Sequence, residues 1–218
     1  MAARLPAQIH PDHLTIMGVA GAVFAAFGLA LTNWTYFGLP IAVFGLLVNW
    51  LGDSLDGTLA RHRKLERPRY GFFVDHVSDL GSQFLIVAGL GLSPFMRYDT
   101  ALLALAAYLA VSVYTMVKVH ALRVMQLSYF GVGPTEIRIL IGLGLIVSAV
   151  VGAPVVETPA GPFTLFDAGA IVIAGFTLVS LAILFRHDVK LLAKADPSLH
   201  AAPVETIVIE IRNNDTKG

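Results

Sequence analysis

The sequence predicts an all-α integral membrane protein: six transmembrane helices with a short N-terminal interfacial segment. Three observations carry that expectation. Of 218 residues, 56% are hydrophobic and only 14% charged, against about 25% charged in an ordinary soluble domain. Mean hydropathy is +0.73. Six separate stretches are also apolar enough and long enough to cross hydrocarbon about 30 Å thick, which takes roughly 20 residues. The 15 basic residues match the 15 acidic ones, so the basic surplus of a nucleic-acid binder is missing. With no cysteine, disulfide scaffolds, zinc ribbons and thiol catalysis are excluded.

The elements follow in order. The first dozen residues hold Pro6, Pro11 and a single Arg4, and the apolar run behind them lacks a small-residue cleavage site. They are expected to lie at the interface ahead of an uncleaved first helix. Spans are expected at about 14–32, 36–54, 73–92, 100–118, 137–153 and 168–185. Breakers separate them: Asn33, Pro94, Gly133-Pro134, and a cluster of Pro154, Pro159, Gly161 and Pro162. These spans use most of the chain, giving one membrane domain over residues 1–186 and a polar cytoplasmic tail over 187–218. Within the tail, residues 204–211 partly alternate like a strand. Gly18, Gly21, Gly142 and Gly144 are expected to let helices pack closely. Trp34, Tyr36, Trp50, Tyr98 and Tyr108 are expected in interfacial belts or in packing.

Loop charge sets the orientation. With the N-terminus in the cytosol, fourteen of the fifteen lysines and arginines fall on the cytoplasmic side and Arg97 alone falls outside. Both termini are therefore expected to face the cytosol, in a multi-pass protein of the cytoplasmic membrane.

Four aspartates at the junction of spans two and three have no place in greasy packing. Asp53 and Asp56 are three residues apart, and Asp75 and Asp79 four apart, so each pair shares one helix face. The connection between the two helices is short, which makes them antiparallel neighbours whose acidic faces can oppose. A carboxylate costs roughly 2.5–3.5 kcal/mol at mid-bilayer on insertion scales, so four together imply cations to neutralise them. Oxygen ligands of this kind suit Mg²⁺ or Mn²⁺, and the number of oxygens suits two ions. Gly57, Ala60 and Gly71 leave the helix ends free of bulk, and Arg61 offers a fork of donors suited to phosphate oxygens. Metal, arginine and small residues together describe a cytosol-facing pyrophosphate site.

This run resembles the signature of the CDP-alcohol phosphatidyltransferase family, D-x2-D-G-x2-A-R-x8,9-G-x3-D-x3-D. Asp53, Asp56, Gly57, Ala60, Arg61, Gly71, Asp75 and Asp79 fill every fixed position, with nine residues in the variable gap. Pro11-Asp12-x-x-Thr15 is similar to the Pro-Asn/Asp-x-x-Thr segment at the entry to the first span in that family. The resemblance implies that Asp53, Asp56, Asp75 and Asp79 hold the metal, with Asp79 also the general base. It implies that Thr15, Asp53, Asp56, Gly57, Ala60, Arg61 and Gly71 bind the CDP moiety. It further implies a homodimer that transfers a substituted phosphate group from a CDP-linked donor to an alcohol, releasing CMP, in phospholipid synthesis.

The acceptor stays open. Lys118, Arg123 and Arg138 could bind the phosphate of a phosphorylated acceptor, or serve as positive-inside anchors. The Pro-Asp-x-x-Thr segment leans toward CDP-diacylglycerol as donor. Asp75-His76-x-x-Asp79 and Gly133-Pro-Thr-Glu136 are instead similar to segments of choline/ethanolamine phosphotransferases, in which a diacylglycerol-like lipid accepts. In that branch His76 and Glu136 join the acceptor site, though His76, like His120, also fits an ordinary interfacial or packed role and Glu136 a helix N-terminal charge. Two rivals compete from other classes. An intramembrane prenyltransferase carries two separated Asp-rich motifs, and a cation transporter favours acids near mid-membrane. Neither releases CMP.

Overall fold

A computed structural model describes residues 5–122, 134–152, 155–159 and 161–195 of the chain. Six long helices appear in it: α1 (Pro11–Leu31), α2 (Gly38–His62), α3 (Pro68–Gly91), α4 (Tyr98–Leu122), α5 (Pro134–Val151) and α6 (Leu165–Ala195). Each coincides with an expected span, and the larger ones outrun it, because hydropathy marks only the apolar part of a helix. Proline stands at the first position of α1, α3 and α5, where its missing N–H costs nothing. By length and composition α1, α2, α4 and α6 can cross a membrane. α3 falls short of that standard, carrying Arg69, Asp75, His76 and Asp79 in its first half, and α5 is the shortest helix at 18 residues. The chain is a multi-pass membrane protein; among the described residues, four of the six expected spans meet this length and composition.

α1 is the central helix, packed against both α2 and α3. Its contact with α2 is backbone on backbone. A Cβ on Gly21 would stand 2.4 Å from the Asn49 nitrogen, and one on Gly45 would stand 2.3 Å from the Ala25 nitrogen. Small residues let membrane helices approach this closely, which takes the place of a hydrophobic drive that lipid tails cannot supply. Gly89 of α3 meets Ala26 of α1 in the same way. α2 and α3 make few direct contacts, since α1 packs between them over most of their length. The two acidic faces therefore converge at one end of the bundle rather than along a shared helix seam. α4 packs on α3 and α6, and α5 on α2. Of the glycines expected at helix contacts, Gly18, Gly21 and Gly144 sit in them, Gly144 against the Phe166 ring, whereas Gly142 faces open space.

The other end of the bundle holds a feature the sequence conceals. The Pro154–Pro162 region, expected only to break helices, contains an antiparallel pair, β1 (Val155–Thr158) and β2 (Gly161–Thr164). Gly161 has φ of +105°, a conformation closed to other residues without strain. Asp167 binds this hairpin to the bundle. Fully buried, it accepts from the Arg97 and Thr164 backbone N–H groups (both 2.8 Å), the Thr164 hydroxyl (2.9 Å) and the Thr100 hydroxyl. Helix α6 then runs past Arg186 to Ala195, beyond the end expected for the sixth span at about 185. The partly alternating run at 204–211 lies outside the described residues, as do Arg123 and Gly133.

Candidate active site

The last turns of α2, the first turns of α3 and the entry to α1 meet at one end of the bundle. Asp53, Asp56, Asp75 and Asp79 line a common recess with Thr15, Asn49 and Ser82. Outward from it opens a cleft of about 540 Å³ between three walls. His10 to Thr15 form one wall, Asp56, Gly57 and Ala60 the second, and Tyr70, Gly71 and Asp75 the third. The absence of side-chain bulk at Gly57, Ala60 and Gly71 keeps the cleft open to the main chain.

Each carboxylate has its own setting. Asp56 is buried: its Oδ2 accepts from the Thr15 hydroxyl at 2.8 Å and its Oδ1 from the Gly57 N–H at 2.6 Å. Asp53 and Asp79 are bridged by Arg138 of α5, whose Nη1 donates to Asp53 and whose Nη2 donates to Asp79 at 3.2 Å. Arg138 is 3% exposed, and its Nε has no partner among the described residues. Asp75 is exposed to the cleft and makes no hydrogen bond among them. Behind the carboxylates, Asn49 donates to the Gly18 carbonyl at 2.9 Å, and its buried Oδ1 has no partner among the described residues.

The chemistry of this donor set fits a hard divalent cation. Four carboxylate groups and an orphaned amide oxygen face one recess, and Arg138 neutralises only one of the four negative charges. The present side-chain positions gather no three acidic or imidazole groups around a single point among the described residues, since Arg138 holds Asp53 and Asp79. An ion bound by all four would have to share those two carboxylates with the guanidinium or draw them from it.

The remaining expected site residues are scattered. Arg61 is exposed, does not line the cleft, and lies along α2 with Nη1 3.5 Å from where a Cβ on Gly57 would stand. His76 donates from Nδ1 to the Phe72 carbonyl at 2.8 Å and packs on the Phe72 ring. Lys118 is paired with buried Asp188 of α6 at 2.7 Å, and Tyr114 donates to the same carboxylate at 2.6 Å. Glu136 is exposed at the start of α5. Arg138, which the sequence left between an anchor and a phosphate ligand, sits inside the carboxylate cluster. Tyr108, expected in an interfacial belt or in packing, is half-buried within electrostatic range of Asp79 and Arg138.

Some residues at the cleft were not singled out by sequence reasoning. Asp12 accepts two hydrogen bonds from Arg67 at 2.7 and 2.8 Å and one from the Tyr70 hydroxyl at 3.3 Å. This pairing raises the Arg67 pKa above its already high value. Asp12 lies in the quoted Pro-Asp-x-x-Thr segment, so a signal existed for it; Arg67 and Tyr70 fall in the variable gap, where the motif specifies nothing.

A family model of CDP-alcohol phosphatidyltransferase matches residues 8–183 of the chain. The chain belongs to this family. The match takes in the acidic recess, the cleft and most of the bundle, and it removes the prenyltransferase and transporter alternatives. Archaetidylinositol phosphate synthase of Pyrococcus horikoshii is 33% identical over 104 residues, which is 48% of this chain and 52% of that protein. The matched region thus spans about half the length of this curated relative. The fold is similar to that of Mycobacterium tuberculosis phosphatidylinositol phosphate synthase. The structure of that protein with CDP-DAG bound gives a TM-score of 0.55 at 22% identity over 79% of this chain and 83% of that one. Its apo form gives 0.54 at 23% identity, over 79% and 85%. At that level of identity the likeness concerns the fold.

Proposed function

We propose that the protein transfers a substituted phosphate group from a CDP-linked donor, CDP-diacylglycerol, to an acceptor alcohol with release of CMP, as a step of phospholipid synthesis. One observation carries this reading. The four motif aspartates, separated in sequence by the α2–α3 turn, face one recess that opens into a cleft lined by the motif's small residues.

Asp53, Asp56, Asp75 and Asp79 would hold Mg²⁺ or Mn²⁺, two ions in this reading, which neutralise the pyrophosphate and the charge that develops on it. The residues of the chain do the rest. Gly57, Ala60 and Gly71 let the donor reach the main chain, and Arg61, one helical turn beyond Gly57 and outside the cleft lining, would swing its guanidinium to phosphate oxygens. Thr15 fixes the rotamer of Asp56. Asp79 takes the proton of the acceptor hydroxyl, whose oxygen attacks the phosphorus bearing the retained group. The bond from that phosphorus to the bridging oxygen breaks, and CMP leaves. The half-buried position of Asp79 limits competition from water, which would hydrolyse the donor.

The loop charges support a cleft that faces the cytosol, and the resemblance supports a homodimer. Relatives named for inositol phosphate products support a phosphorylated acceptor. A second reading, with a lipid acceptor and CDP carrying the head group, draws on a different observation. Lys118 and Arg138, the described cations assigned to an acceptor phosphate, are both already committed to carboxylates.

The test is CMP release by purified protein with Mg²⁺ or Mn²⁺ and CDP-diacylglycerol, across inositol phosphate, glycerol phosphate, serine and inositol. Acceptor-dependent CMP that disappears in Asp79→Asn, while nucleotide binding survives, supports the reading. Release only with CDP-choline or CDP-ethanolamine and a diacylglycerol moves it to the second branch. No CMP from folded protein with any of these donors refutes both.

A further inference from the structure

A residue that the eight-position motif leaves unspecified fastens the N-terminal segment beside the cleft. Arg63, just past the end of α2, turns its guanidinium toward the residues that precede α1. Its Nη1 donates to the carbonyls of Ala7 (3.3 Å) and Ile9, and its Nη2 to those of Leu5 (2.9 Å) and Pro6 (2.8 Å). A topology-setting arginine needs only water or lipid head groups around it. One whose fork is filled by four main-chain oxygens of a single non-helical segment is holding that segment. Only a planar guanidinium presents enough donors in a fixed fan for the task. Beneath it, Leu5 and Ile9 pack on buried Leu14 and Leu59, so the segment lies on α1 and α2 through an apolar underside.

A second tie lies across the cleft. Arg67 holds Asp12 through two hydrogen bonds and stacks 3.8 Å above the Tyr70 ring. Between the two arginines the chain reverses at Lys64, whose φ of +55° is left-handed, and the Leu65 N–H closes the turn on the Ala60 carbonyl at 2.9 Å. That reversal lets Arg63 reach the segment before α1 and Arg67 reach the first turn of α1. What the pair holds in place is the wall from His10 to Thr15, including the hydroxyl that orients Asp56.

We infer that Arg63 is a positioning residue for the CDP-linked donor: it clasps residues 5–9 to the end of α2 and thereby holds one wall of the donor cleft. The inference rests on the donor reading above. Its consequence is thermodynamic. Apparent donor affinity equals intrinsic affinity scaled by the fraction of molecules with the wall in place. Losing the clasp therefore weakens donor binding without altering the groups that act on bound donor.

The experiment uses the full chain in lipid nanodiscs with Mg²⁺ and compares wild type with Arg63→Ala. Three quantities are measured: CDP affinity by calorimetry, donor KM with kcat, and amide hydrogen exchange over residues 5–12. The expected result is CDP affinity and donor KM weakened about tenfold, kcat and acceptor KM within twofold of wild type, and faster exchange across the segment. A merely structural arginine would lower kcat and folded yield together and leave the KM of active molecules unchanged. If Arg63→Ala does not fold, Arg63→Gln, which keeps two donors, is expected to give a smaller shift of the same kind. Unchanged CDP affinity and donor KM in a protein whose wild type binds CDP overturns the role of Arg63 alone. A wild type that binds no CDP overturns the donor reading on which the inference rests.

Discussion

Replacing Thr15 by valine isolates one hydrogen bond at the centre of the site. Valine keeps the β-branched shape within α1 and removes only the hydroxyl, which donates to Asp56 Oδ2 at 2.8 Å. The other contact of that hydroxyl, 3.4 Å to the Pro11 carbonyl, is local to the first turn of α1. Asp56 retains the Gly57 N–H on its second oxygen, so the carboxylate loses its orientation across helices but keeps its local anchor. A hydrogen bond to a charged acceptor is worth about 1.5–3 kcal/mol, and this one is only half-buried, which selects the lower end. Since about 1.4 kcal/mol corresponds to a factor of ten in rate, kcat/KM for CMP release should fall about tenfold. Thr15→Ser restores the donor and should recover most of the loss; the same bond supports the fold, so the melting temperature of Thr15→Val should fall by about 2–4 °C per kcal/mol and recover in Thr15→Ser. Rates with CDP-diacylglycerol, read as CMP released, decide the matter. Wild-type kcat/KM in Thr15→Val would refute the reasoning, and a serine variant as slow as the valine one would transfer the effect to packing.

Three further perturbations address the scaffold. Gly45→Ala drives a Cβ to within 2.3 Å of the Ala25 nitrogen, where no side chain can yield. Overpacking should cost about 1–3 kcal/mol and lower the melting temperature in detergent; wild-type melting would mean that α1 and α2 separate freely. Asp167→Ala strands the Arg97 and Thr164 N–H groups in a buried site, while the Thr100 hydroxyl keeps the Arg97 carbonyl at 2.9 Å. A loss of roughly 3 kcal/mol is expected from these orphaned donors, measured by denaturant unfolding, and an unchanged midpoint would refute it. Lys64→Gly relieves a left-handed residue at φ +55°, and its net gain should stay below about 1 kcal/mol because glycine also enlarges the unfolded ensemble. Destabilisation by that variant would show that the turn carries no such strain.

Asp53, Asp56, Gly57, Ala60, Gly71, Asp75 and Asp79 could be read as one site because chemistry and spacing coincide over twenty-seven residues. Each acidic pair shares a face by helical periodicity alone, and carboxylates at a membrane boundary demand a counter-charge wherever the helices lie. The same local logic located six helices and explains why their ends were underestimated at His62, Pro68 and Ala195. Apolar runs report where hydrocarbon is crossed, whereas backbone hydrogen bonding continues past it.

The rest depended on contacts across long stretches of sequence. Nothing local to Arg138 says that it bridges Asp53 and Asp79, eighty-five and fifty-nine residues away. Arg63 counts as one more cytoplasmic charge until the chain reversal at Lys64 turns it toward Leu5, Pro6, Ala7 and Ile9. Lys118 resembles a free cation until α6 brings Asp188 to it. The hairpin before α6 was masked by its prolines and becomes intelligible only through the buried carboxylate of Asp167. Sequence alone thus determined the membrane class and the acidic chemistry, because both arise from composition and from spacing within single helices. Tertiary structure decided which cations answer those acids and what forms the walls of the cleft, because side chains pair by proximity in space, which close glycine packing of α1 between α2 and α3 establishes.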